Sequence, residues 1–304
     1  LDFLGNVPGY WETDVSPFFL IFFTIFFAMI IGDAGYGLLF ILLTFVAQIK
    51  MKKFNNVLAL FYLISSATVV WGAMTGSWFG SNMIKGIPFF NGFILSQLDT
   101  DKEIMELCFH IAVVHIVLAR LTAFVKSMKD KLLSGFANLG WLSMTVGLLF
   151  LVKNLVISST DYPVPTYSLI IVAFGFIVVL IFGKQEKGQS FLKGVGMSLA
   201  FSPLTALDTV GAFGDIISYV RLYAVGLAGF AVAQSFNGMA APLISSGGFG
   251  YFGGALILLG GHVFNIAMAA LSVLVHGVRL NVLEFSSAAD VNWTGKKFNP
   301  FREI

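Results

Sequence analysis

The chain has 304 residues, 57% of them hydrophobic and only 11% charged, with a mean hydropathy of +0.88. A water-soluble domain of this length does not carry so little charge, so lipid is expected to be its main solvent. A net charge of +2 is too small to point to a nucleic acid partner, and one cysteine, Cys108, leaves no disulfide framework to build.

Residues 1–16 read as a juxtamembrane lead-in, and an opening at Leu1 without a signal-peptide pattern suggests a piece of something longer. The first apolar run, 17–49, would span about 50 Å as one helix, against a hydrocarbon core of about 30 Å. It is interrupted at 32–37 by Gly32-Asp33-Ala34-Gly35-Tyr36-Gly37, where glycines and a carboxylate oppose a continuous helix in lipid. A helical hairpin is expected there, with Asp33 as its cap. Further apolar runs follow at 57–79, 104–125, 133–152 and 166–183, scaffold helices within 57–183. Gly72, Gly76 and Gly80 repeat every four residues and predict close helix packing. Residues 188–206, with Pro203, read as an interfacial helix or loop. Two long runs, 207–240 and 250–286, make up segment 207–286, and 287–304 is a tail. The fold class is therefore all-α, a polytopic membrane helical bundle of about eight transmembrane helices, the last two long.

Lysine and arginine set the expected orientation. Lys50, Lys52 and Lys53; Lys126, Lys129 and Lys131; Lys184, Lys187 and Lys193; and Lys296, Lys297 and Arg302 form four basic clusters after alternate runs. In the intervening loops Asp99, Asp101 and Glu103 offset Lys85 and Lys102, Asp161 offsets Lys153, and 241–249 carries no charge. Both termini are expected on the cytoplasmic side.

The last two runs hold Arg221 and Arg279 at membrane depth. A central arginine costs about 2.5–3.5 kcal/mol on insertion scales and cannot shed its proton, so something must compensate for it. Asp208 and Asp215 stand at offsets that point away from Arg221, and Glu284 is five positions beyond Arg279. A counter-ion from another helix of this chain and one from a separate, moving neighbour both remain open. Helical spacing from Arg221 gives a stripe of small and medium residues, Ala224, Val225, Ala228, Val232 and Ser235, which a second helix can approach closely. No phosphate-binding loop, metal-ligand cluster or nucleophile constellation is legible, so no catalytic site, metal or cofactor is expected. A secondary transporter is the alternative class, although no internal repeat supports it.

Three motifs also carry a resemblance over the whole chain: Gly32-Asp33-Ala34-Gly35-Tyr36-Gly37, Ser218-Tyr219-Val220-Arg221-Leu222-Tyr223-Ala224, and His276-Gly277-Val278-Arg279-Leu280 with Glu284. At these separations the sequence resembles the C-terminal membrane domain of subunit a of V-type rotary ATPases, called subunit I in bacteria and archaea. The resemblance implies a stator in a prokaryotic plasma membrane. Its tilted last two helices would face a rotating ring of proteolipid subunits and offer H+ or Na+ two offset half-channels. Arg221 and Arg279 would keep those channels apart. The implied inner-side lining is Asp215, Ser218, Asn281, Glu284 and His276, and the outer-side lining is Gln234, His262 and Asn265. The family's N-terminal cytosolic arm, which contacts the peripheral stalks and the central stalk, is not expected within these residues, and ATP chemistry is implied for other subunits. Ala269 and Gly229 stand where eukaryotic members tend to carry a glutamate and a histidine, so the outer lining must differ here. His110, His115 and Arg120 share one stripe with no assigned role.

Overall fold

The computed structural model describes residues 9, 14–81, 94–95, 98, 100–129, 133–186, 188–291, 293 and 295. Lys85, Asp99, Lys131, Lys187, Lys296, Lys297 and Arg302 lie outside the described residues, as do most of the 1–16 lead-in and much of the 287–304 tail. Among the described residues every extended element is a helix: α1 Ser16–Ile31, α2 Ala34–Met51, α3 Asn56–Thr75, α4 Asp101–Lys129, α5 Gly135–Val152, α6 Thr166–Phe182, α7 Phe191–Ala200, α8 Ser202–Ile217, α9 Val220–Ser245, α10 Phe249–Ser272 and α11 Ser286–Ala288.

Among the described residues six helical stretches are long and apolar enough to cross a membrane: Ala34–Met51, Asn56–Thr75, Asp101–Lys129, Gly135–Ile157, Ser202–Ser245 and Phe249–Ala288. The last two run for 44 and 40 residues. At 1.5 Å per residue each is about twice as long, measured along the chain, as a hydrocarbon core is thick. The chain is an all-helical polytopic membrane bundle. Its burial pattern agrees: Leu192, Phe249 and Leu259 are largely exposed, while Thr68 and His115 are fully buried and hydrogen-bonded. Lipid rewards apolar groups outside and hydrogen-bonded polar groups inside.

The described residues fall into two compact units, one drawn from Leu1–Phe19, Glu106–Tyr219 and Leu280–Ile304, the other from Leu20–Met105 and Val220–Arg279. In the first, α5 and α6 meet at glycines. A Cβ added to Gly140 would lie 2.7 Å from the Gly175 carbonyl oxygen, and one on Gly147 2.9 Å from that of Ser168. Ser143 Oγ donates to the Ile171 carbonyl at 3.1 Å. The pairings 140/175, 143/171 and 147/168 run in opposite directions, so the two helices are antiparallel. Such backbone proximity is how helices associate without a hydrophobic drive. A clamp stands beside them, in which Lys153 pairs with Glu106 and lies 4.8 Å over the Tyr162 ring, whose hydroxyl donates to Glu106 at 2.7 Å.

In the second unit the first apolar run is two helices. Phe27 and Phe40 have ring centroids 6.3 Å apart, where thirteen residues of unbroken helix would separate them by about 20 Å, so the chain reverses between them. Asp33 makes the reversal. Its side chain accepts from the amides of Gly35 and Tyr36, capping α2, and from Ser77 Oγ and the amides of Phe79 and Gly80, all at 2.8–3.2 Å. Of the three repeating glycines, only Gly72 lies within a helix, where a Cβ would sit 2.0 Å from the Ala34 nitrogen. Gly76 ends α3 with φ of 73°, and Gly80 lies past it with φ of 67°. The four-residue repeat is thus not one packing stripe: two of its members serve the turn that Asp33 holds.

Candidate functional site

In the first unit, four of the proposed inner residues lie around the end of α8 and the last helical segment. Ser218 Oγ is 2.6 Å from the Asp215 carbonyl and 3.3 Å from Glu284 Oε1, so one hydroxyl ties the two elements together. Glu284 is 7% exposed and Asn281 2%. Both stand on a π-helical turn, Leu280–Phe285. A second such turn, Val273–Gly277, carries His276 in the other unit. π-turns widen the helix and shift every later side chain off the α register, and they recur at functional sites. No local composition marks them, so α spacing alone could not place these groups.

The same unit explains two residues that the sequence left without a role. His115 and Tyr219, each fully buried, are joined by a 2.6 Å hydrogen bond between Nδ1 and the phenol oxygen, and the imidazole stacks on Phe285 at 4.7 Å. Arg120 lies 5.2 Å over the Trp141 ring and within electrostatic reach of Asp215, Asp208 and Asp290. A membrane arginine placed this way offsets part of the acidic charge gathered at the end of α8.

In the second unit, Arg221 is half-buried on the first turn of α9, directly after the Ser218-Tyr219 break in the helical stretch Ser202–Ser245. Arg279 is exposed, and His276 feels the charge of both arginines. From Arg221 the residues Ala224, Ala228, Ala231 and Ser235, spaced three and four apart, form an exposed stripe along α9. Val225 and Val232, counted with that stripe from spacing, are half-buried at its edge. Within this unit His276 therefore groups with the arginines.

Two outer candidates also converge. Tyr36 OH and His262 Nδ1 are 2.7 Å apart, and Asn265 Nδ2 donates to Tyr36 OH at 3.1 Å and to the Gly229 carbonyl at 2.9 Å. Gln234 is exposed on α9, and no described hydrogen bond joins it to them. A cavity of about 280 Å³ is lined by Met29, Gly32, Thr75, Ser77, Asp101, Tyr223 and Gly226 among others, and a smaller one of about 10 Å³ touches Asp33, Tyr36 and Gly229.

The chain is 41% identical, over 311 aligned positions covering 99% of it, to V-type ATP synthase subunit I of Borreliella burgdorferi. It is a homologue of subunit I of the V-type and A-type ATP synthases. V-type ATP synthase subunit I 1 of Treponema pallidum is 36% identical over all of the chain, and A-type ATP synthase subunit I of Pyrococcus horikoshii 29% over 97% of it. These alignments take in 51%, 50% and 44% of the relatives, so the chain spans about half the length of the subunit I proteins it matches. No protein-family model matches it.

Proposed function

We propose that the chain is the membrane part of a rotary ATPase stator, the element past which a ring of carboxylate-bearing proteolipids turns while H+ or Na+ crosses the bilayer. Homology to subunit I supports the rotary ATPase; one geometric observation supports the stator. Arg221 and Arg279 share His276 as a neighbour, and Arg221 heads the exposed small-residue stripe Ala224, Ala228, Ala231 and Ser235. A permanent cation beside a groove of small side chains suits a partner helix that brings a carboxylate and then leaves.

The chemistry follows from arginine itself. Its charge is fixed across the accessible pH range, so it stabilises an unloaded ring carboxylate and repels a cation that would leak straight through. Asp215, Ser218, Asn281 and Glu284 would supply access from the inner side, and His262, Asn265 and Gln234 from the outer side. The cavity carrying Asp101, Thr75, Ser77 and Tyr223 is polar enough to hold water beside α9. Both termini would lie in the cytoplasm of a prokaryote, with the stalks held by the rest of the subunit.

The deciding experiment purifies the full-length subunit with its complex, reconstitutes it in liposomes and follows ATP-driven uptake of protons or sodium. Arg221→Ala and Arg221→Lys should both assemble and both lose coupled uptake. Normal uptake by Arg221→Ala would refute the stator reading, and substrate exchange by the purified chain alone would favour a secondary transporter.

A further inference from the structure

We propose that Tyr36 and His262 form a proton-conducting link, with Asn265 as the positioning residue that orients it. The link rests on the stator reading and specifies a route for its outer access.

Hydrogen-bond accounting carries the orientation. The Gly229 carbonyl only accepts, so the Asn265 amide must turn its NH2 toward it, at 2.9 Å. The other hydrogen of that NH2 goes to Tyr36 OH at 3.1 Å, which makes the phenol oxygen an acceptor there. The phenol's own hydrogen then points to His262 Nδ1 at 2.7 Å, and the neutral imidazole keeps its hydrogen on Nε2. Tyr36 and Asn265 are 2% and 3% exposed, whereas His262 is half-buried. The network is thus anchored inside, with one imidazole edge toward the surface. Phe79 closes the edges of both rings, at 5.6 Å from Tyr36 and 5.8 Å from His262.

Tyr36 also borders the cavity of about 10 Å³, room for about one water. That cavity and the larger one share Gly32, Ser77 and Phe230 in their walls, and the larger reaches Leu222 and Tyr223, the residues that follow Arg221. Proton transfer along this line balances. A hydronium in the cavity gives one proton to the Tyr36 oxygen, the Tyr36 O–H proton passes to His262 Nδ1, and His262 Nε2 releases its proton to water outside. One charge moves and no group is left altered in protonation; only the imidazole hydrogen has changed nitrogens, and the reverse sequence carries a proton inward. Asp33, the charged group within reach of His262, is held by five donors and has no lone pair to spare for carrying a proton, so it steadies charge on the imidazole instead of competing for the proton.

The test uses the full complex in liposomes, with ATP-driven proton uptake as the readout. Tyr36→Phe removes one O–H and should slow uptake roughly tenfold while assembly and melting temperature hold. His262→Ala should slow it similarly and recover in part when imidazole is added outside, which a merely structural histidine would not do. If Tyr36→Phe fails to assemble, the imidazole rescue of His262→Ala decides. Wild-type uptake in Tyr36→Phe, or His262→Ala that is either silent or unrescued, overturns the link and favours direct access past Asp101. Arg221→Ala run in parallel separates the two claims: if it abolishes uptake while Tyr36→Phe is silent, only the link falls.

Discussion

Asp33 is the residue on which the first reversal depends. A carboxylate in lipid is tolerable only when its lone pairs are filled, and here two oxygens take five donors, three of them from residues 77–80. Replacing one oxygen by an amide sets an NH2 against donors, so Asp33→Asn should lower stability by about 2–4 kcal/mol, read by thermal unfolding in detergent. Lost transport with unchanged melting would instead mark Asp33 as an ion carrier. The glycine-rich setting made the capping role legible in the sequence. Its hold on the Ser77–Gly80 turn was not, because a contact across more than forty residues leaves no local pattern.

Among elements, the α5–α6 pair is held by absent side chains. Gly140→Leu must displace a backbone oxygen now 2.7 Å from where its Cβ would stand, and a loss of about 1–3 kcal/mol is expected in the same unfolding assay. Gly211 on α8 meets nothing within 4 Å, so Gly211→Ala should be neutral or stabilise by up to about 1 kcal/mol. Equal effects at the two glycines would contradict the packing. Helix identity in this region follows from apolar runs and their length, but which glycines touch does not. Gly72, Gly76 and Gly80 have the more regular spacing, yet Gly140, Gly147 and Gly175 make the antiparallel contact. The π-turns mark the same boundary, since they place His276, Asn281 and Glu284 by a register that residue spacing does not encode.

At the scale of the whole molecule, the apolar exterior belongs to lipid, and under the proposed stator role the small-residue stripe on α9 would meet a rotor helix. Ala228 is exposed, so Ala228→Trp should change the stability of the isolated subunit by less than about 0.5 kcal/mol. In the assembled complex it should abolish coupled uptake, because an indole fills the groove a rotor helix would pass through. Full uptake in that variant would show that nothing presses on this face. Composition and the lengths of apolar runs determined by themselves that the chain is a helical membrane protein, and two arginines in apolar runs were legible as the place where the proposed function would concentrate. These are sums over neighbouring residues, and lipid imposes them on any fold. Tertiary structure alone decided that His276 sits with the arginines, that Tyr36 meets His262 and Asn265, and that Ser218 meets Glu284. Each of these pairings closes a hydrogen bond or a charge contact between distant segments, and its energy depends on ångström-scale approach that no linear spacing specifies.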